Sequence, residues 1–232
     1  MTLRGPEWIT GGMRVLTEKK RAAIVAAAGR MFAQHGYGGT TMTHIASEAG
    51  ASKATLYRYF NEKSEVFAAY VVAQGEGHRD LLDQPIPLGE DCAETLMRLG
   101  RLYMSIVLSP RVIEVNRLVI AEAERFPELS EIYVSNGPGR VIALVESSLR
   151  AAEARGWLAL EDAADAAWIF KALCERSLLE RAMWGFRMPF PNPAVERNVQ
   201  IATDCFLARF GTHRLRQPHR LSPLQRLRRM AK

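Results

Sequence analysis

The stretch Thr41–Phe60, TMTHIASEAGASKATLYRYF, constrains the fold more than any other part of the chain, because it has the pattern of two short helices pinned by a tight turn. Ile45, Ala46 and Ala49 give the first helix one apolar face, and Gly50 follows as a stop able to take positive φ. Leu56 and Phe60 give the second helix a buried face of its own. Ala46 is small where two helices must cross closely. Ser52, Lys53, Thr55, Tyr57, Arg58 and Tyr59 are then left for the ends and outward faces of the second helix. Such groups hydrogen-bond phosphates and base edges, and the spacing is that of a helix-turn-helix.

The flanks supply what two short helices need for a core. A first helix is expected to start at Thr17 as cap and to run through Ile24, Ala27, Ala28, Met31 and Phe32 to His35-Gly36. Gly36, Gly38 and Gly39 then form the loop to the second, with Thr41 as its cap and Thr43 in its first turn. Ser52 is expected to cap the third helix. Asn61 can cap a fourth, with Glu62 and Glu65 in its first turn, ending near Leu82 before Pro85 and Pro87. Beyond lie helices near 89–108, 110–123, 128–155, 161–185 and 193–210, punctuated by Pro110, Pro127, Gly156 and the MPFPNP run of 188–193. Asn136-Gly137-Pro138-Gly139 interrupts one of them as a kink, a break or a local distortion. The fold class is all-α: a three-helix helix-turn-helix domain over 17–63 and a larger helical domain over 64–212. Residues 1–16 are expected to be a flexible arm, and 213–232 a basic, disordered tail.

Composition narrows the function. Residues 1–70 carry 9 Lys and Arg against 5 Asp and Glu, residues 71–212 carry 15 against 20, and residues 213–232 carry 7 against none. Basic ends around an acidic body suit a polyanion-binding head joined to a domain that must not stick to nucleic acid. Three scattered cysteines, Cys92, Cys174 and Cys205, suggest neither a disulfide framework nor a metal site, and suit a reducing cytoplasm. No run of about 18 apolar residues is present, so no membrane span is expected. The five histidines form no HExxH, and there is no GxSxG, phosphate-binding glycine loop or dinucleotide fingerprint. No catalytic residue, metal or cofactor is therefore assigned.

Residues 17–70 resemble the N-terminal domain of the TetR family of bacterial transcriptional regulators. The likeness is carried by Phe32, Gly36-Tyr37, Thr40-Thr41, Ile45-Ala46, Ala49-Gly50, the run Ser52 to Tyr57, Phe60 and Lys63. It implies a homodimer in which each subunit inserts the helix near 52–60 into a major groove of a palindromic double-stranded operator. Matching positions carry DNA contact to Thr43, Ser52, Lys53, Thr55, Tyr57, Arg58, Tyr59 and Lys63. Arg58 departs from the aromatic residue common in the family, so it either pairs with guanine or grips phosphate. The region 89–186 bears a weaker likeness to the regulatory domain of a subset of these proteins, which implies a small-molecule effector and, by default, repression.

Dimerisation is also expected from the residues. Val195, Val199, Ala202, Phe206 and Phe210 form a helical seam, and the preceding helix offers Ala163, Ala167, Phe170, Leu178 and Trp184. The two helices near 161–185 and 193–210 would pair across a two-fold axis, unless the seam is an ordinary intramolecular core. No pocket residue is assigned for the effector. The competing class is an all-helical enzyme or small-molecule-binding protein without DNA readout.

Overall fold

The computed structural model describes residues 8–75, 86–187 and 192–212, with side chains from Thr17 onward. Its helices are α1 (Trp8–Gly39), α2 (Met42–Glu48), α3 (Lys53–Tyr57), α4 (Lys63–Gln74), α5 (Cys92–Val107), α6 (Pro110–Glu122), α7 (Glu128–Asn136), α8 (Pro138–Ala154), α9 (Ala163–Met183) and α10 (Pro193–Phe210). Among the described residues the sole extended pairing is one antiparallel bridge between Leu158 and Gly211.

Several boundaries differ from the sequence pattern. α1 begins at Trp8, not after a cap at Thr17, so the backbone of 8–16 is helical where an arm is expected. Gly36 (φ 68°, ψ 175°) then breaks the helix, a conformation an L side chain rarely adopts. Glu62, not Asn61, is the N-cap of α4; Asn61 lies one residue outside and donates its backbone N–H and its amide to Glu65. Both donations hold the Glu65 carboxyl below the usual range. The expected long helix over 128–155 is two helices, broken at Gly137 (φ −129°, ψ −96°), with Pro138 at the first position of α8 where its missing N–H costs nothing. α4 ends at Gln74, with Gly75 as its C-cap, short of the expected end near Leu82; the segment 188–191 and the basic tail lie outside the described residues.

The chain folds as two compact units that do not follow sequence order. The first comprises Met1–Asp83, Ile106–Val141 and Ala182–Gly185, and the second Gln84–Ser105, Ile142–Arg181 and Phe186–Lys232. α6 and α7 therefore belong with the N-terminal helices. One continuous core shows why: Ile24, Phe32, Tyr37, Ile45, Leu56, Phe67 and Tyr70 pack in the same cluster as Val115 and Val119 of α6 and Leu129 and Tyr133 of α7. Phe32 is at its centre, with ring centroids 5.6, 5.7 and 5.8 Å from Tyr37, Phe67 and Tyr70. α1 can approach α4 because position 29 is glycine; a Cβ there would lie 2.6 Å from the Tyr70 ring.

The second unit is built on Phe170, Phe206 and Phe210, the first pair edge-on at 5.3 Å and the second pair at 4.6 Å. Gly100 lets α5 meet α10, since a Cβ would lie 2.6 Å from Val199. The expected dimer seam is thereby corrected. Val195, Val199, Ala202, Phe206 and Phe210 are all buried within one chain, as are Ala163, Ala167, Phe170 and Leu178, whereas Trp184 is exposed. They form the intramolecular core, because i, i+4, i+7 spacing marks a buried face without saying what buries it. α9 itself is interrupted at Arg176 (φ 41°, ψ −126°), a strained conformation costing about 1–3 kcal/mol. Nearby, the Asn198 amide donates to the carbonyls of Cys174 and Glu175 at 3.4 and 3.5 Å. Glu175 accepts from Tyr103 and pairs with Lys171 at 2.7 Å, so the interruption sits in a fixed polar cluster.

Candidate nucleic-acid interface

α2 and α3 are too short to persist as isolated helices, so their ends and their buried faces must hold them. Thr41 caps α2, its hydroxyl accepting from the N–H of His44 at 3.1 Å. Ile45 and Ala46 bury the inner side of the helix. The turn that follows places Gly50 at φ 55° and closes with the Ala51 N–H donated to the Ala46 carbonyl at 2.9 Å. Lys20 of α1 completes it. Its ammonium donates to the carbonyls of Ala49 and Gly50 at 3.1 and 3.0 Å, neutralising acceptors that the end of α2 leaves open.

Ser52 caps α3: its hydroxyl accepts from the N–H of Thr55 at 3.1 Å and shares a hydrogen with the Thr55 hydroxyl at 2.8 Å. Ser52→Ala is expected to cost about 1 kcal/mol of stability, read by urea unfolding; no change would show that the cap contributes nothing. Leu56 is the one buried residue of α3, and Phe60, just beyond its end, is buried with the Arg21 guanidinium 5.1 Å above its ring. The helix ends at Tyr57, short of the expected 60, and Arg58, Tyr59 and Phe60 continue as a hydrogen-bonded turn onto Thr55 and Leu56.

The eight expected contact residues separate into two groups. Thr43, Ser52, Lys53, Tyr57 and Arg58 are exposed. Tyr57 is 44% exposed despite its size, with the Lys53 ammonium 6.0 Å from its ring. An aromatic hydroxyl and two cations standing in solvent beside a rigid turn are what phosphate and base-edge recognition requires. Thr55, Tyr59 and Lys63 are half-buried. The Thr55 hydroxyl is engaged with Ser52, and Tyr59 packs against the core cluster.

Lys63 is held elsewhere. Its ammonium donates to the carbonyls of Tyr37 at 2.6 Å and Thr40 at 2.9 Å, 4.1 Å above the Tyr37 ring and 5.7 Å from that of Phe126. Burial lowers its pKa, with Glu122 and Glu128 acting in the opposite sense. The sequence pattern did not distinguish a lysine at the start of a helix from one folded back on a preceding loop. It also missed Lys20, and Thr40, whose buried hydroxyl donates to carbonyls of Met31 and Gly36 at 3.1 and 2.7 Å. Thr40-Thr41 is the local signal for the latter; Lys20 has none, because its partners are some 30 residues away.

Elsewhere, the described residues hold no His, Cys, Asp or Glu group suited to a metal ion. Burial pushes the thiols of Cys92 and Cys174 up to about 12, which keeps both protonated and unreactive at neutral pH. No described helix is long and apolar enough to cross a membrane.

An all-helical chain with a capped helix-turn-helix near its N-terminus, its polar residues facing solvent, has the architecture of a helix-turn-helix regulator. Residues 24–70 match the family described as bacterial regulatory proteins, tetR family, and residues 94–212 match the AefR-like transcriptional repressor, C-terminal domain. The chain belongs to the TetR family. It is 31% identical over 121 residues to the regulator TtgR of Pseudomonas putida, covering 50% of this chain and 56% of that one. To HbdR of Aromatoleum sp. (strain CIB) it is 25% identical over 143 residues, 62% of each chain. The matches thus span little more than half of these relatives' length. Among solved structures, the Flavonoid-responsive Regulator FrrA superposes with a TM-score of 0.74 at 28% identity, over 84% of this chain and 99% of that one. The relatives are transcriptional regulators, not enzymes.

Proposed function

We propose that this protein is a ligand-responsive, homodimeric transcriptional repressor that binds a palindromic DNA operator in the cytoplasm through α3. The observation that carries this is the turn at Gly50. It is locked by Lys20 and by two capped helices, and it leaves Thr43, Lys53, Tyr57 and Arg58 exposed beside it. Membership of the TetR family supports DNA binding, and the match of residues 94–212 to a repressor C-terminal domain supports the direction of control. The name of FrrA, a flavonoid-responsive regulator, supports an effector of small-molecule type without specifying one here.

Two-fold symmetry in the operator calls for two-fold symmetry in the protein. With the expected seam buried apart from Trp184, the faces of α9 and α10 open to a second subunit include those of Trp168 (53% exposed), Ile169, Ala172, Ile201 and Cys205. Apolar groups standing in water on adjacent helices favour association. Trp168→Arg with Ile201→Arg is expected to shift the protein from dimer to monomer in sedimentation at micromolar concentration. A double variant that stays dimeric would move the interface elsewhere.

Effector binding would then act as a population shift. The dimer with its two reading helices about one DNA turn apart binds the operator, and the effector favours another spacing. α4, which follows the reading helix directly, is the lever, and saturating effector should lower operator affinity. Selection of fragments from the source genome by the full chain tests the reading: one palindromic site should be enriched, and Lys53→Ala should bind it more weakly without unfolding.

A further inference from the structure

Helices α6 and α7 share the core of the reading head, and the corner between them presses on the loop that leads into α2. Glu122, the last residue of α6, accepts the N–H of Gly38 at 3.3 Å. Phe126, between the two helices, meets the Tyr37 ring edge-on at 5.2 Å. Lys63 of α4 closes the cluster from the other side, bonded to the carbonyls of Tyr37 and Thr40 and lying over both rings.

The glycines of the loop record how close this approach is. A Cβ on Gly36 would overlap the Glu122 carboxylate, and one on Gly38 would lie 3.0 Å from the Phe126 ring. The loop therefore has two requirements that only glycine meets at position 36: a positive φ, and room for a carboxylate. Three residues after Gly38 comes Thr41, the cap of α2, so the position of this loop determines where α2 and the Gly50 turn begin.

From this geometry we infer that the α6–α7 corner is a clamp on the α1–α2 loop. Glu122 is its positioning residue, and through it a change in α6 or α7 reaches the reading helices by way of the loop that Lys63 of α4 also holds. The carboxylate serves as acceptor for a loop N–H and stands among the charges that Lys63 senses. Phe126 packs beside that bond, against Gly38 and the Tyr37 ring. Moving the corner withdraws both, and the loop ahead of α2 is left to the bonds of Lys63 and Thr40. The inference rests on the DNA-binding reading for its functional consequence, but the clamp itself is a property of the head alone.

The test uses the full chain and two readouts. Hydrogen exchange of the amides of residues 36–48 reports the clamp, and affinity for the selected genomic fragment reports its effect on the reading helices. Glu122→Ala is expected to speed exchange in 36–48 relative to α1 and to weaken binding about 5- to 10-fold. Glu122→Gln, which keeps an acceptor for Gly38, should recover most of both. Unchanged exchange in Glu122→Ala overturns the clamp; faster exchange with unchanged affinity overturns its role in positioning the reading helices. Equal losses in Glu122→Ala and Glu122→Gln would also overturn the assignment of the acceptor. If the wild-type chain selects no fragment, the DNA-binding reading and the positioning role fall together, while exchange still decides whether the clamp exists.

Discussion

Arg58→Ala is expected to weaken operator binding by about 1–3 kcal/mol, roughly 10- to 100-fold, while leaving the unfolding transition unchanged. Arg58 is the C-cap of α3; its backbone N–H is tied to the carbonyls of Leu56 and Thr55, and its side chain is exposed. Removing the guanidinium thus removes the proposed DNA contact and leaves the backbone of the turn in place. The form of the loss separates the two roles open to it. A bidentate partner of guanine loses affinity chiefly on sites with that base, relaxing specificity at one position per half-site. A phosphate partner loses affinity uniformly, with a shallower salt dependence by about one counterion. Operator affinities measured at two salt concentrations, on the selected site and on single-base variants of it, distinguish them. Wild-type affinity in Arg58→Ala would remove this residue from the interface.

Leu56→Ala has the largest expected effect on stability, about 2–5 kcal/mol in urea unfolding. α3 has five residues, fewer than a free helix needs, and Leu56 is the one residue it buries. Its truncation leaves a cavity in the cluster that Phe60, Ile45 and Tyr70 share. A loss well below 1 kcal/mol would show that the turn and the Ser52 cap hold α3 without its packing.

The reading head was legible in the sequence because its determinants are local. Thr41 and Ser52 are caps by residue type and position, Gly50 is where the chain needs positive φ, and Ile45 and Leu56 have the spacing of buried faces. What the sequence did not disclose depends on partners far along the chain. Lys63 has the composition of a DNA contact, yet its ammonium is folded onto Tyr37 and Thr40, 26 and 23 residues earlier. Glu122 looked like one more acidic residue on an acidic body, and its partner, Gly38, is 84 residues away. The α10 seam has a similar explanation. Periodicity identified Val195, Val199 and Phe206 as buried, but whether one chain or two buries them depends on Gly100 and Phe170, which no pattern within α10 contains. The interruption at Arg176 falls in the polar Glu175-Arg176 break of an otherwise apolar helix, but neither glycine nor proline marks it as a change of backbone direction.

A dimer is expected to present two copies of α3 to one operator. Footprinting the full chain on the fragment it selects from the source genome measures this most directly. Two inverted half-sites are expected to be protected, their centres about one helical turn, ~34 Å, or a multiple of it apart, with the protection lost in Tyr57→Ala and Arg58→Ala. A single protected site without two-fold symmetry, or protection that survives both substitutions, would contradict it.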